Sequence, residues 1–166
     1  MAERGFDEFY ASNYGRFVVQ VFAITGNLAD AEDAVQEAFA RASARWRWIG
    51  GYASPEAWVR RVALNLAFTG RRRARRLLEV LSRVPAPPPV PPLPADSLGL
   101  LEALRALPLP FRQVLVLHYL ADLPVERVAG ELGIAVGTAK SRLARAREAL
   151  AKQLVDGGEE VASGRR

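Results

Sequence analysis

Two groups of charged residues of opposite sign carry the clearest chemical meaning in this chain. Asp30, Asp33, Gln36 and Glu37 lie in a stretch that holds four acids and no base, whereas residues 60–76 hold seven arginines and no acid. Clustered carboxylates suit an arginine-rich protein surface, and clustered arginines suit the phosphates of a nucleic acid. The segregation therefore predicts two different partners, although two ordinary solvated helix faces are also compatible with charge alone.

The composition argues against catalysis. The chain has 166 residues, no cysteine and one histidine, so disulfides, thiolate metal sites and histidine-based chemistry have little to use. The sequence has no Ser/His/Asp set, no glycine-rich phosphate loop and no metal-ligand spacing, so we predict no catalytic residue, no metal and no cofactor. The apolar runs are too short to span a bilayer and the N-terminus lacks a signal core, which predicts a cytoplasmic protein without a membrane partner.

The spacing of apolar residues predicts an all-α fold. A first helix is expected over residues 5–24 and a second over 28–44, with the four polar residues named above on the exposed side of the second. An aromatic loop follows at 46–53. Ser54 and Pro55 then open a third helix, as N-cap and first helical residue.

The third helix is expected to turn its arginines away from the core. Its predicted inward stripe is Trp58, Val62 and Leu66, and its predicted outward residues are Arg60, Arg61 and Leu64. Gly70 should weaken this helix before the arginine run that follows it, because glycine is a poor helix former.

A proline-rich strap divides the chain into two parts. Residues 85–94 contain seven prolines, which exclude helix and favour an extended, semi-rigid polyproline II spacer. We therefore predict two small helical domains, over 5–76 and 98–155, joined by an extended linker over 77–97 and followed by a disordered tail over 156–166. A ligand for SH3-type modules is an alternative interpretation of the strap.

The second domain contains a pattern typical of a helix-turn-helix. Helices are predicted over 125–132 and about 136–154, with Gly133 supplying the positive φ of the turn and Ile134 filling the angle between the helices. Such a second helix enters the major groove of DNA, where Thr, Ser and Arg contact base edges and Lys and Arg hold phosphates. The residues predicted to face DNA are Gly137, Thr138, Ser141 and Arg145, flanked by Lys140 and Arg142. A basic amphipathic helix of an unrelated bundle is the alternative.

Taken together, these motifs resemble the sigma-70 family of RNA polymerase subunits. Residues 6–76 resemble its region 2 and residues 111–150 its region 4, with nothing recognisable of regions 1 or 3. The chain is similar to the minimal extracytoplasmic-function (group 4) sigma factors, close to the actinobacterial SigE-like subfamily. The resemblance implies a non-catalytic, dissociable subunit that directs promoter-specific transcription initiation. Its implied partners are core RNA polymerase (the β′ clamp helices and the β flap), promoter DNA and, where one exists, a separate anti-sigma factor.

The resemblance also implies roles for the candidate residues. Residues 31–37 resemble the helix that binds the β′ clamp helices, which assigns polymerase binding to the face of Asp30, Asp33, Gln36 and Glu37. Residues 57–65 resemble the segment that recognises the −10 element and captures the opened strand. The expected −10 contacts are phosphate binding by Arg60, Arg61, Arg71, Arg72 and Arg73, base stacking by Trp46, Trp48 and Tyr52, and a base contact by Asn65. The second helix of the helix-turn-helix would read the −35 element.

Some of these roles have structural alternatives. Trp58 is expected in the core, Trp46 and Trp48 could be partly buried, and Asn65 could equally make a structural hydrogen bond. The linker has the required reach, because the two promoter elements lie about 50–60 Å apart at 3.4 Å per base pair. Residues 77–97 can extend to roughly 65–70 Å at about 3.3 Å each.

Four positions depart from the family pattern. Ala135 stands where serine usually caps the recognition helix, which costs about 1 kcal/mol. Ala139 replaces a larger β-branched residue, and residues 67–70 lack a common acid and add a glycine. His118 stands where the family often has arginine, and we interpret it as structural.

Two other classes of function compete with a sigma factor. A stand-alone helix-turn-helix regulator that dimerises on palindromic DNA would leave the acidic face and the strap unexplained. An adaptor or anti-sigma-binding protein without promoter activity is a further alternative, which the missing cap at Ala135 keeps open. An enzyme is not supported by any motif, and we expect the free chain to be monomeric.

Overall fold

The computed structural model describes residues 5–69, 87–88, 90, 94 and 96–163. Within these residues every regular element is helical, as the sequence predicted, and none of the helices is both long and apolar enough to cross a membrane. The chain divides into two compact units, residues 1–91 and 92–166, and each has buried hydrophobic residues of its own. The division falls inside the proline-rich strap.

The described part of unit 1 comprises the helices α1 (Phe6–Thr25), α2 (Leu28–Ala44), α3 (Trp46–Ile49) and α4 (Pro55–Thr69). Helix α1 ends because Gly26 takes a left-handed conformation, with φ of 77°, and donates its N–H to the Phe22 carbonyl oxygen. Helix α2 begins at once, since the Asn27 side chain accepts a hydrogen bond from the Asp30 N–H at 3.0 Å. The turn between α1 and α2 is therefore set by two adjacent residues.

The start of α4 is as predicted, but the segment before it is not entirely a loop. The Ser54 hydroxyl oxygen accepts a hydrogen bond from the Ala57 N–H at 3.2 Å, and Pro55 is the first helical residue. The predicted loop 46–53 begins with one helical turn, α3, in which the Gly50 N–H donates to the Trp46 carbonyl oxygen at 2.8 Å. Gly70, expected to weaken α4, lies outside the described residues.

An aromatic cluster forms the core of unit 1. Phe39 of α2 is fully buried, and its ring centroid lies 5.0–6.4 Å from those of five rings of α1, namely Phe6, Phe9, Tyr10, Tyr14 and Phe17. Each such aromatic pair contributes roughly 0.5–1.5 kcal/mol beyond the burial of its apolar area. This cluster fixes α2 on α1, and thereby determines which side of α2 faces solvent.

Unit 2 contains α5 (Ser97–Arg105), α6 (Leu109–Leu115), a π-helical turn (Val116–Leu120), α7 (Val125–Leu132) and α8 (Val136–Ser163). Pro108 separates α5 from α6, because proline lacks the N–H that would continue α5. The core is formed by small and branched residues of α6, α7 and α8, including Val114, Val128 and Ala146. Helix α8 runs beside α5, α6 and α7 and is the common support of this unit.

The π-helical turn continues α6 with a wider ring of backbone atoms. The Ala121 N–H donates to the Val116 carbonyl oxygen at 3.0 Å, five residues earlier. His118 Nδ1 lies 2.8 Å from the Leu123 carbonyl oxygen, so Nδ1 carries the proton and donates it. The contact fixes the loop before α7, which agrees with the structural role expected for His118.

The expected disordered tail is wrong over most of its length. Helix α8 continues past 154 through Gly157 and Gly158 to Ser163. Two glycines cost about 1 kcal/mol each in a helix interior, but an existing helix adds further turns without a new nucleus. Gln153 and Asp156 also line a groove with Glu102 of α5, so this part of the helix has tertiary neighbours.

Most of the strap lies outside the described residues. Pro87, Pro88, Val90 and Pro94 are described, and none of them is helical. Val90 is half-buried and packs against the core of unit 1. The strap is therefore attached to unit 1 by at least one apolar side chain.

Candidate nucleic-acid interface

The outward face of α2 carries acidic and amide side chains. Asp33 and Gln36 are partly exposed there, and Glu32 is too, which the sequence interpretation did not single out. At 100° per residue these three lie within about 100° of one another, opposite the buried Ala31, Val35 and Ala38. Asp30 lies at the edge of this face, where its N–H is held by the Asn27 cap. Glu32 could have been found from the same projection, since it is an acid in the same stretch.

Glu37 does not belong to this face, and its expected exposure is wrong. Its side chain is fully buried, and its Oε1 forms an ion pair with Arg41 one turn later on α2. Residue 37 projects beside Ala34 and Ala38, which α2 turns toward the core, so the carboxylate is carried inward with them. A Glu–Arg pair at i, i+4 is a recognisable sequence signal for this outcome.

Two buried tyrosines lie beneath the acidic face. The pKa of Tyr14 is raised far above its ordinary value, chiefly by burial. Nearby Tyr10 and the carboxylates of Glu32 and Asp33 raise it further. Burial likewise raises the pKa of Tyr10. Both phenols therefore remain protonated at any physiological pH and add no negative charge to unit 1.

The aromatic residues after α2 divide into core and surface. Trp46 packs between Phe6 and Phe9, with ring centroids at 5.5 and 4.9 Å, which favours the partly buried alternative over the stacking role expected for it. Trp48 and Tyr52 are 65% and 50% exposed. They line a shallow cup of about 250 Å³ with Arg45, Ile49 and Trp58. Flat aromatic walls beside a guanidinium suit an unpaired base and its phosphate.

Arg60 is buried, and the phosphate contact expected for it is therefore wrong. Its side chain is 3% exposed, its Nε donates to Gln20 Oε1 at 2.9 Å, and its guanidinium carbon lies 5.2 Å from the Phe17 ring centroid. Helix α4 packs with Val59 and Ala63 inward. Arg60 projects about 60° from Ala63 on the helix surface, and its side chain packs against α1.

The opposite side of α4 faces solvent as predicted for Arg61. The side chains of Arg61 and Asn65 are both exposed and lie one turn apart. Exposure of Asn65 favours a base contact over the structural hydrogen bond that was its alternative. Trp58, Val62 and Leu66 pack against the edge of the core. Arg71, Arg72 and Arg73 lie outside the described residues.

Unit 2 positions α7 and α8 as a helix-turn-helix. Gly133 has φ of 66° and ψ of 35°, the left-handed conformation expected at this turn. The Ile134 N–H donates to the Ala129 carbonyl oxygen at 3.0 Å, and Ala129 and Ala139 are buried where the helices meet. The small Ala139 thus lets α8 lie close to α7.

The first turns of α8 present a polar and basic surface. Gly137, Thr138, Lys140, Ser141 and Arg145 are exposed, and Arg142 is half-buried. Ser141 Oγ donates to the Thr138 carbonyl oxygen at 3.2 Å, a weak contact that leaves its lone pairs available to a ligand. Short hydroxyls beside long cations suit a groove in which base edges lie deep and phosphates lie at the rim.

Ala135 accepts the first hydrogen bond of α8, from the Ala139 N–H at 3.0 Å, and so occupies the N-cap position. An alanine methyl cannot accept a hydrogen bond from the free N–H groups of the first turn. The recognition helix therefore starts without a side-chain cap, as the sequence indicated.

An apolar groove of about 340 Å³ crosses unit 2 away from these residues. It is lined by residues of α5, α6, the π-helical turn and α8, including Leu100, Leu120 and Leu150. Tyr119 and Arg147 close one side, where Arg147 Nε donates to the Tyr119 hydroxyl. The sequence interpretation missed this groove, because its lining comes from three separated segments. Among the described residues no cluster of side chains could hold a metal ion.

Two family models match the chain at the two units. The model described as Sigma-70 region 2 matches residues 9–77, and the model described as Sigma-70, region 4 matches residues 97–150. The RNA polymerase sigma-E factor of Streptomyces coelicolor is 32% identical over 153 residues, and the match covers 90% of this chain and 86% of that protein. The chain belongs to the sigma-70 family.

A further sigma-70 relative and a solved structure extend this finding. The ECF RNA polymerase sigma factor SigE of Mycolicibacterium smegmatis is 35% identical over 167 residues, covering 94% of this chain and 64% of that protein. The sigma factor RpoE of Bartonella quintana, solved with the anti-sigma factor NepR, superposes with a TM-score of 0.71 at 23% identity, covering 90% of this chain and 96% of that one. The match to SigE of Mycolicibacterium smegmatis confirms the resemblance to extracytoplasmic-function sigma factors. The superposition on the Bartonella structure confirms the fold.

Membership in the sigma-70 family places the surfaces in two known regions. The region 2 match contains the α2 face, the aromatic cup and the outward side of α4, and the region 4 match contains α7 and the first turns of α8. Chains of this family act with RNA polymerase in promoter-specific transcription initiation, and this chain is one of them.

Proposed function

We propose that the chain is a dissociable, non-catalytic subunit of DNA-dependent RNA polymerase that reads both the −10 and the −35 promoter elements and aids promoter opening. The observation that carries the proposal is the pairing of a recognition helix in unit 2 with an acidic face and an aromatic, basic face in unit 1. A regulator that only binds duplex DNA has no use for the two unit 1 surfaces. The corresponding location is the cytoplasm, where transcription takes place.

Polymerase binding is assigned to the outward face of α2. Asp33 and Gln36, with Glu32 beside them and Asp30 at the edge, offer several acceptor oxygens on one rigid helix. Arginines of the β′ clamp helices are suitable partners, because guanidinium groups bind carboxylates with two parallel hydrogen bonds. Glu37 contributes indirectly, because its ion pair with Arg41 compensates the positive charge of that side chain. Arg41 then does not repel the arginines of the clamp helices.

The −10 element is assigned to the aromatic cup and α4. Trp48 and Tyr52 would stack on bases of the opened strand, Asn65 would contact a base edge, and Arg61 would hold a phosphate. Arg71, Arg72 and Arg73 extend the same charge along the sequence. The exposure of Trp48, Tyr52, Arg61 and Asn65 supports this assignment.

The −35 element is assigned to the first turns of α8. Thr138, Ser141 and Arg145 would reach base edges in the major groove, Lys140 and Arg142 would hold phosphates, and Gly137 would allow close approach of the backbone. The exposure of these residues on one end of the recognition helix supports the assignment.

The apolar groove of unit 2 is assigned to the β flap. The groove offers a nearly apolar wall with a hydrogen-bonding tyrosine–arginine pair at its edge, which suits an amphipathic helix. Polymerase would then be held by charge at unit 1 and by apolar burial at unit 2. A separate anti-sigma factor, such as the NepR protein found with the Bartonella sigma factor, could control the chain by covering one of these surfaces.

Co-purification with core RNA polymerase tests the proposal. The Glu32→Arg, Asp33→Arg double variant should lose binding, because it places two cations opposite the arginines of the partner. The Asp7→Arg, Glu8→Arg double variant changes the charge equally, at two exposed acids of α1, and should bind as wild type does. Equal binding by both variants would contradict the assignment of the α2 face. Failure of the wild-type chain to bind polymerase, with duplex DNA still bound, would instead support a stand-alone regulator.

A further inference from the structure

The outward side of α4 ends on an exposed aromatic residue. Phe68 is 48% exposed near the C-terminal end of the helix. A single exposed apolar side chain is common on protein surfaces and has no meaning by itself. Its position relative to its neighbours on α4 is what distinguishes Phe68.

Phe68 lies in line with the residues assigned to the opened strand. At 100° per residue, Trp58, Arg61, Asn65 and Phe68 project within about 80° of one another. Trp58 stands at one end of this row, where it lines the cup with Trp48. Arg61 and Asn65 occupy the middle, and Phe68 the other end. Two aromatic positions are thus separated by a cation and an amide on a single rigid helix.

The dimensions and charge of this row fit one kind of occupant. Ten helical residues from Trp58 to Phe68 span about 15 Å at 1.5 Å per residue, which is about four stacked nucleotides at 3.4 Å each and fewer in a stretched strand. Paired bases have no free face to offer, so only an unpaired base can stack on Phe68. Residues 60–76 contain no acid and, besides the buried Arg60, six arginines, which favour a polyanion over an apolar segment of a protein.

We propose that Phe68 forms a second stacking site for an unpaired base of the opened DNA strand, separate from the cup of Trp48 and Tyr52. The inference rests on the proposed −10 function of unit 1 and adds to it a second fixed point, a few nucleotides from the first. Two fixed points hold the strand in one register along α4, with Arg61 on the phosphate between them. One stacking site alone would allow the strand to slide or pivot.

Strand binding by the reconstituted holoenzyme tests this inference. The probe is a fluorescein-labelled single strand of about 12 nucleotides, and fluorescence anisotropy is compared with that of core polymerase alone. Phe68→Ala should weaken binding about 5- to 100-fold, since a stacked base contributes roughly 1–3 kcal/mol. Phe68→Trp should bind within about twofold of wild type. Leu98→Ala, at an exposed apolar residue of unit 2 outside the groove lining, should have no effect.

Abasic substitution along the same strand locates the site. In the wild-type holoenzyme, removal of a base should weaken binding at two positions separated by about two to four nucleotides. Phe68→Ala should abolish the loss at one of these positions, and Trp48→Ala at the other. Weakening by Trp48→Ala without any effect of Phe68→Ala would overturn the inference and leave the proposed −10 surface intact. No strand binding above the core polymerase background would overturn both.

Discussion

Replacement of Arg60 distinguishes a buried arginine of the core from an arginine that binds DNA. The sequence favours a phosphate contact, whereas the structure places the guanidinium against Gln20 and Phe17 of α1. Arg61, the next residue, projects about 100° away around the helix and is exposed. The two neighbours carry the same charge and the same alkyl stem, so they provide a matched pair of alanine substitutions.

The magnitude for Arg60→Ala follows from three lost contributions. A hydrogen bond from a charged donor contributes about 1.5–3 kcal/mol, and the Gln20 oxygen, on a residue that is 2% exposed, would lose its partner at a cost of roughly 1–3 kcal/mol. The cation–π contact with Phe17 adds about 0.5–2 kcal/mol. Because these contributions overlap, we expect unit 1 to lose about 3–5 kcal/mol, whereas Arg61→Ala should change it by less than about 0.5 kcal/mol.

Tryptophan fluorescence during urea unfolding measures this difference directly. The three tryptophans are Trp46, Trp48 and Trp58, so the signal reports on unit 1 alone. With a slope near 2 kcal/mol per molar urea, Arg60→Ala should lower the unfolding midpoint by roughly 2 M. Promoter binding by the holoenzyme is then measured against salt concentration. Arg61→Ala should reduce the salt slope by about one.

Two results would refute the reasoning. An unchanged midpoint for Arg60→Ala would mean that its guanidinium is not part of the core. A reduced salt slope for a folded Arg60→Met variant, of similar length but without charge, would restore the phosphate contact to Arg60. A double-mutant cycle with Gln20→Ala isolates their hydrogen bond, and a coupling free energy near zero would remove it as the cause.

Three further predictions concern the caps, the turn and pH. Ala135→Ser should stabilise α8 by about 1 kcal/mol, because the hydroxyl caps its first turn. Hydrogen exchange in that turn should then be roughly fivefold slower. Unchanged exchange would mean that the hydroxyl does not reach the first-turn N–H groups. Gly133→Ala should speed hydrogen exchange across α7 and α8, because alanine is strained at φ of 66°. Gly130→Ala, within α7, should slow hydrogen exchange, because alanine is the better helix former. A change of exchange rate in the same direction for both variants would contradict the strain argument. Burial raises the folded-state pKa values of Tyr10 and Tyr14. These two residues should therefore contribute no pH dependence of stability below their ordinary pKa of 10, and a decline above it of up to about 1.4 kcal/mol per pH unit for each tyrosine. Tyr14→Phe should flatten this decline in urea titrations, and an unaltered pH profile would show that Tyr14 ionises normally in the folded chain.

The sequence predicts the helices well, because local signals determine their ends. Residues 28–44, the Ser54 cap and the Gly133 turn all depend on side chains within a few positions of one another. The recognition helix was also accessible, since the exposure of Thr138 follows from helical projection. Trp48 and Tyr52 were selected only as aromatic residues of a predicted loop. Local pattern is sufficient where the partner of a residue is nearby in the chain.

The errors arise where a charge finds its partner far away or beneath the surface. Arg60 donates a hydrogen bond to Gln20, 40 residues distant in sequence, and no periodicity reveals such a pairing. Glu37 is different, because Arg41 lies one turn away and could have been recognised. Projection also misplaced the buried face of α4, which is centred on Val59 and Ala63, about 80° from the predicted stripe. This rotation brings Arg60 toward α1. The apolar groove of unit 2 needs the tertiary fold itself.

The π-helical turn of unit 2 has a consequence for which insertions and deletions the chain can tolerate. A wide turn of this kind accommodates one residue more than an α-helical turn over the same rise. Deleting one residue from Val116–Leu120 would therefore convert the segment to ordinary α-helix and leave the residues before and after it in place. The side chains of the turn itself would be rearranged, and Tyr119 and Leu120 of that turn line the apolar groove. An alignment gap of one residue at this position thus marks relatives in which this part of the groove wall differs.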